Sequence, residues 1–188
     1  MDVLTLLHKD HETVGALLDQ AMKCEPDDDK LHDLATQIEQ ALTVHAAIEE
    51  KYFYPVLQKR AEETEETVDV FEAYTEHDLI KRLIALLRSG RQPDEQFKAE
   101  VQVLSENVKH HVKEEESTIF SLARDLMEIE EREDLGAKME RAKQRMLNAQ
   151  ESSGPKPKKT TLKKAPASKA RARKAPARKK ATRGTSRR

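Results

Sequence analysis

Two histidine-and-glutamate patterns recur in this chain with the same internal spacing. His11 is followed 34 residues later by His45, and His77 is followed 34 residues later by His111. Around the first histidine of each pair, His11-x-x-Val14-x-x-Leu17 matches His77-x-x-Ile80-x-x-Leu83. Around the second, His45-x-x-x-Glu49-Glu50 with Tyr54 beyond it matches His111-x-x-x-Glu115-Glu116 with Phe120 beyond it. Residues four apart share one face of a helix, so each His-x-x-x-Glu offers an imidazole nitrogen and a carboxylate to a common point. Four such faces converging supply four nitrogen donors and two carboxylates. One ion does not use all six comfortably. Two ions do, with Glu49 and Glu115 bridging and two histidines on each. A bridging oxo or hydroxo group then adds a fifth contact to the four from the protein and leaves a sixth position open. Histidine with carboxylate suits iron or manganese, with zinc also possible.

Other readings of these residues are weaker. A single histidine on an apolar helix stripe is ordinarily a packed core residue, but four matched across two repeats are not explained that way. Ferritin-like bundles use Glu-x-x-His, and no histidine here has a glutamate three residues before it. His11-Glu12 lacks the second histidine of a zinc-protease HExxH, and no Gly-rich phosphate loop is present. Glu50, Glu114 and Glu116 read as a solvated helix face, His110 as a surface residue and His32 as structural. His8, three residues before His11, is a lesser candidate for the same cavity. Tyr54 and Tyr74 read as core packing, and Cys24 as a bystander in an acidic loop.

The elements that must position these side chains are helices. Residues 3–22 carry Val3, Leu4, Leu7, Val14, Leu17, Leu18 and Met22 mostly along one stripe. After Cys24–Asp29, with its acidic N-cap candidates, a second helix runs from about Lys30 to Tyr54, where Pro55 bends or ends it. A third, over about 65–88, shows Val68, Phe71, Leu79, Ile80, Leu83, Ile84 and Leu87 as its apolar positions. Asp94 caps a fourth over about 95–126, and a more charged fifth covers roughly 129–149. Long helices with short connectors predict an all-α fold, an antiparallel four-helix bundle with a short fifth helix.

Net charge hides a division. The chain has 34 basic and 35 acidic residues, but residues 152–188 hold 15 of the basic ones and no Asp or Glu. That leaves 19 basic against 35 acidic in residues 1–151, a net of −16 before a tail of +15, and the expected division is a domain over residues 1–150 and a tail over 151–188. The tail repeats Lys-Ala-Pro-Ala and has Leu162 as its one large aliphatic residue. It cannot bury enough apolar surface to offset roughly 1–2 kcal/mol of backbone entropy per residue, and is predicted to be disordered. It resembles the tails of linker histones and bacterial nucleoid proteins. Lys158, Lys159, Lys163, Lys164, Lys169, Arg171, Arg173, Lys174, Arg178, Lys179 and Lys180 are its candidate DNA-phosphate contacts. No stretch is apolar enough to span a bilayer, the N-terminus lacks a basic signal-peptide region, and a lone cysteine excludes a disulfide framework. The expected setting is cytoplasmic and nucleoid-associated.

The order H, HxxxE, H, HxxxE on four helices, with Glu-Glu-x-x-x-Tyr/Phe after each second histidine, resembles the hemerythrin-like (HHE cation-binding) family over about residues 4–126. The resemblance implies a carboxylate-bridged di-iron centre that reacts with oxygen or its reduced forms. It pairs His11 with His45 on one iron and His77 with His111 on the other, with Glu49 and Glu115 as bridges. Oxygen-carrying hemerythrins have a further histidine one turn before the third-helix ligand, where this chain has Ala73. Redox chemistry, sensing or iron handling therefore fits better than reversible oxygen carriage. The expected function is protection near DNA by binding Fe(II) and consuming oxygen or peroxide, through weak peroxidase, catalase-like or ferroxidase activity. The alternatives are an iron or oxygen sensor without turnover and a DNA-compacting protein.

Overall fold

The computed structural model describes residues 1–87 and 92–153, and within them all regular structure is helical. In chain order the elements are α1 (Val3–Met22), α2 (Asp29–Ile48), a π-helical turn π1 (Glu49–Phe53), α3 (Tyr54–Arg60), α4 (Thr64–Leu87), α5 (Glu95–Glu114), a second π-helical turn π2 (Glu115–Ile119), α6 (Phe120–Leu126) and α7 (Ile129–Ser153).

Short acidic side chains set the helix starts. Asp2, Asp28 and Asp94 accept hydrogen bonds from the N–H groups of Leu4, Lys30 and Phe97 at 2.8, 2.8 and 2.7 Å. Each satisfies a donor that the first helical turn leaves unpaired, a contribution of about 1 kcal/mol. At α4 the carboxylate of Glu66 reaches back to the N–H groups of Glu62 and Glu63.

The apolar core divides into two clusters, and the division reveals the topology. Val14, Leu18, Leu31, Ile38, Leu42, Ile84, Phe97 and Leu104 belong to one cluster. Val3, Leu7, Ile48, Phe53, Leu57, Val70, Ile119 and Phe120 belong to the other. Along α1 and α4 the chain passes from the second cluster to the first; along α2 and α5 it passes back. The four helices therefore alternate in direction, and His11, His45, His77 and His111 fall at the crossing between clusters.

Three features differ from the sequence reading. Pro55 neither ends nor breaks the second helix. It occupies the first turn of α3, where its missing N–H is tolerated, and the helix continues to Arg60. On α4, Val68, Phe71 and Leu79 lie outside the core, 55%, 51% and 45% exposed. A helical period alone does not say which of two apolar stripes is covered, and α4 is covered along Val70, Ala73, His77, Ile80, Ile84 and Leu87. The charged fifth helix is part of the core: Leu135, Met139 and Ala142 of α7 join the cluster containing Val3 and Leu7. Gly136 lets α7 approach the N-terminal backbone, since a Cβ there would lie 2.2 Å from the carbonyl oxygen of Met1. Arg132 bonds Asp2, and Arg60 forms a two-toothed pair with Glu131.

The tail and its eleven candidate DNA contacts lie outside the described residues, as does most of the connection between α4 and α5.

Candidate metal centre

Each ligand-type glutamate opens a π-helical turn. Tyr54 N–H donates to the carbonyl of Glu49, and Phe120 N–H to that of Glu115, both five residues back. In an uninterrupted α-helix, residues five apart point about 140° away from each other. The wider turn brings Glu49 and Tyr54, and likewise Glu115 and Phe120, inward together, and all four are buried. The turn recurs in the second repeat without a proline, so Pro55 is not its cause. π-turns of this kind are frequent at functional sites.

All six side chains singled out by spacing meet in the layer between the two clusters, and all are buried. The ring centres of His11 and His45 are 4.8 Å apart, those of His77 and His111 4.7 Å, and those of His45 and His77 6.4 Å. Donor atoms of His11, His45, Glu49 and Glu115 lie within 4.8 Å of one another, and so do those of Glu49, His77 and His111. Glu49 belongs to both groups. Its Oε2 is 3.1 Å from Nε2 of His45 and 3.4 Å from Nε2 of His77. Oε2 of Glu115 is 3.1 Å from Nε2 of His11 and 3.7 Å from that of His111.

The outer nitrogens decide which tautomers are present. Nδ1 of His11 bonds Glu116 at 2.8 Å, Nδ1 of His77 bonds Glu50 at 2.9 Å, and Nδ1 of His111 bonds Glu76 at 2.8 Å. A carboxylate only accepts, so each Nδ1 carries the proton and donates. Nδ1 of His45 faces Asp10 at 3.7 Å, too long for a hydrogen bond. The Nε2 atoms of His77 and His111 are left 3.1 Å apart, lone pair against lone pair. That contact is repulsive unless a proton or a cation lies between them. Two donors at right angles, each about 2.1 Å from one ion, are about 3 Å apart, so the spacing fits a metal. Nε2 of His11, both oxygens of Glu49 and Oε2 of Glu115 also have no hydrogen-bond partner, and burying such atoms unpaired is costly.

Charge in the layer is strongly perturbed. Burial, and then the charge of Glu115, push the Glu49 carboxyl well above the usual range. Burial opposes ionisation of Glu115 too, but the imidazole of His11 3.1 Å away and the charges of His111, His11 and His45 hold its carboxyl well below. Burial pulls the His45 imidazole down to about 4. For His11, burial is outweighed by Glu115, Glu49 and Glu116, which raise it to about 9. Protons thus compete for the same lone pairs as a cation.

The second ring of carboxylates was misread from sequence. Glu50 and Glu116 are not a solvated face. Their side chains are 26% and 31% exposed and orient His77 and His11; Glu114 remains at the surface beside Lys113. Glu76 and Asp10 do not stand out by ligand spacing, yet a regularity points to them. The acid directly before the first histidine of each repeat (Asp10, Glu76) faces the second histidine of that repeat. The acid directly after each ligand-type glutamate (Glu50, Glu116) orients the first histidine of the other repeat. A basic side chain lies outside every one: Lys143 on Asp10, Lys81 on Glu50, His8 on Glu116 and His110 on Glu76. His8 is exposed and is not among the converging donors.

Tyr54 breaks the symmetry of the repeats. Its hydroxyl donates to Oε1 of Glu115 at 2.9 Å and lies 3.3 Å from Nε2 of His77. Phe120, its counterpart, has no polar atom and stacks on His11 at 5.9 Å. Tyr74 packs against Tyr54 with ring centres 5.1 Å apart. His32 stacks on Phe97 within the other cluster, and Cys24 donates weakly to the Gln20 carbonyl.

A four-helix bundle whose middle layer holds two overlapping groups of histidine and glutamate donors is a cation-binding bundle. The chain belongs to the family of the hemerythrin HHE cation-binding domain, whose model matches residues 2–123. A protein of Nostoc sp. called a DNA nickase is 29% identical over 146 residues, which are 78% of this chain and 40% of that protein. The chain thus spans less than half the length of this relative. The crystal structure of a hemerythrin HHE cation binding domain-containing protein, the Rv2633c homolog from Mycobacterium kansasii, superposes with a TM-score of 0.68 at 20% identity. It covers 82% of this chain and 95% of the other, a likeness of fold. Among the described residues no helix is long and apolar enough to cross a membrane.

Proposed function

We propose that this protein holds two iron ions through His11, His45, His77, His111, Glu49 and Glu115, reacts with oxygen or peroxide, and is tethered to DNA by its basic tail. The observation that carries the first part is the set of buried lone pairs in the middle layer, which repel one another unless protons or cations separate them. Iron in a histidine and carboxylate set supplies one-electron redox chemistry toward oxygen and peroxide. The chain's own contribution is positional. Glu116, Glu50 and Glu76 hold three imidazoles with Nε2 facing inward. Tyr54 holds one oxygen of Glu115 so that the other faces the histidines. The two apolar clusters exclude water above and below.

The DNA tether rests on fifteen basic residues with no acid beyond Glu151, and the name of the Nostoc relative agrees with a setting at DNA. A chain that removes Fe(II) and peroxide beside DNA protects it from the radicals the two generate together. Metal analysis of the purified protein, with its near-ultraviolet absorption and the rate at which it removes peroxide, tests this reading. Two irons per chain with peroxide removal support it; zinc alone, or one ion per chain, overturns it. Two irons without turnover favour the sensor.

A further inference from the structure

The centre is buried, so a cation must have a way in. A small cleft of about 50 Å³ lies between α4 and π2, with Asp69, Glu72, Glu76 and Glu114 on its walls and Ala73 and Glu115 deeper in. No basic side chain lines it. Glu72 is exposed, Asp69, Glu76 and Glu114 are partly exposed, and Ala73 and Glu115 are buried at 4% and 1%. Carboxylates therefore run from solvent to the middle layer. The last of them, Glu115, has an oxygen without a hydrogen-bond partner and belongs to one of the two donor groups. Ala73 stands one turn before His77, and its single methyl keeps the path short of being filled.

The larger clefts beside the centre are of mixed charge. The one between α2 and α4 carries Lys81, whose ammonium bonds Glu50. The one beside His11 carries Lys109 and Lys113. Each holds one carboxylate, Glu50 or Glu116, and neither offers a cation an unbroken run of them. Around Asp69 the field is negative: partial burial, and then the charges of Glu65 and Glu66, raise its carboxyl.

We propose that the cleft between α4 and π2 is the loading port of the centre. Asp69, Glu72 and Glu114 collect a hydrated divalent cation, and it passes over Ala73 to Glu115. The proposal rests on the metal-centre reading and adds the route. Clefts lined by one sign of charge raise the arrival rate of opposite charges by roughly 10- to 1000-fold, an effect that salt removes.

The test uses full-length protein stripped of metal with a chelator, then mixed anaerobically with Fe(II). Unbound Fe(II) is trapped at set times by a chromophoric chelator, which gives both the loading rate and the final amount bound. For the triple variant Asp69→Asn, Glu72→Gln, Glu114→Gln the expected result is loading at least about tenfold slower at low salt, with an unchanged final amount and little remaining salt dependence. Ala73→Leu narrows the path without altering charge, so loading slows while its salt dependence persists. A control neutralising three exposed acids of α7 (Glu130→Gln, Glu133→Gln, Asp134→Asn) leaves the rate near wild type. An unchanged rate in the triple variant, or an equal slowing in the control, overturns the port while leaving the centre intact. If wild-type protein binds no Fe(II) at all, the centre itself is wrong and the port falls with it.

Discussion

Lys143 of α7 donates to Asp10, whose other oxygen faces Nδ1 of His45 at 3.7 Å. The fifth helix is therefore tied to the middle layer and is more than a cover on the bundle. The Asp10 carboxyl is held low although burial opposes it, by His45 and Lys143. Lys143→Met leaves that buried carboxylate without its cation. Metal affinity should fall by up to about tenfold, the low end for outer partners of a metal ligand, with helical content unchanged. Calorimetric titration with Fe(II) measures it.

Glu50→Ala and Glu116→Ala free the imidazoles of His77 and His11 to rotate and change tautomer. Losing such a partner lowers metal affinity by about 10- to 100-fold. His32→Ala, which removes a ring stacked on Phe97 away from the middle layer, should leave affinity unchanged. Competition with a chelator of known affinity separates the three.

The two ligand-type glutamates should not be equivalent. Glu49 lies in both donor groups and Glu115 in one. Glu49→Ala is expected to reduce metal content below that of Glu115→Ala, which should retain about one ion per chain. Elemental analysis after desalting reads the difference.

Metal binding should release protons. An imidazole must be neutral to bind, and the His11 imidazole is raised to about 9. Below that pH a proton competes with the cation, so affinity should fall as pH drops from about 9 to 6, by up to about tenfold per pH unit for each proton displaced. The raised Glu49 carboxyl adds to the effect with the same sign. For the chain without cation, the sign of the His11 contribution to stability is reversed. Its raised value contributes stability fully below 6.5, and this is lost as pH rises through about 9. Calorimetry in buffers of different ionisation enthalpy counts the protons.

The tail should account for all binding to DNA. Phosphate neutralisation releases counterions, about −0.9 in log–log slope per phosphate contacted. If about eight basic residues engage, the slope is roughly −7. Removing residues 152–188 should abolish binding and leave metal content unchanged, and two unrelated duplexes should bind alike, because phosphate contacts carry no sequence information. Salt titration of full-length and truncated protein on both duplexes is the measurement.

The histidine and glutamate spacing was legible in the sequence because residues four apart on a helix must share a face, whatever the helix packs against. The caps at Asp28 and Asp94 were legible for a similar reason, since a cap is a local hydrogen bond. The same local rules misjudged Pro55, because a π-helical turn is visible only once Glu49 and Tyr54 are both drawn inward by packing. They also misplaced Val68, Phe71 and Leu79, since a helix with two apolar stripes hides whichever one its neighbours reach. Glu50 and Glu116 looked solvent-facing because their histidine partners lie 27 and 105 residues away in the chain. Only the crossing of the two repeats brings those carboxylates to His77 and His11. What the sequence by itself determined is the local part: ligand types, helix faces and the division of charge between domain and tail. The tertiary structure alone decided the outer ring of carboxylates and their basic partners, the place of Tyr54 and the acidic cleft, because each depends on contacts between helices that no single helix encodes.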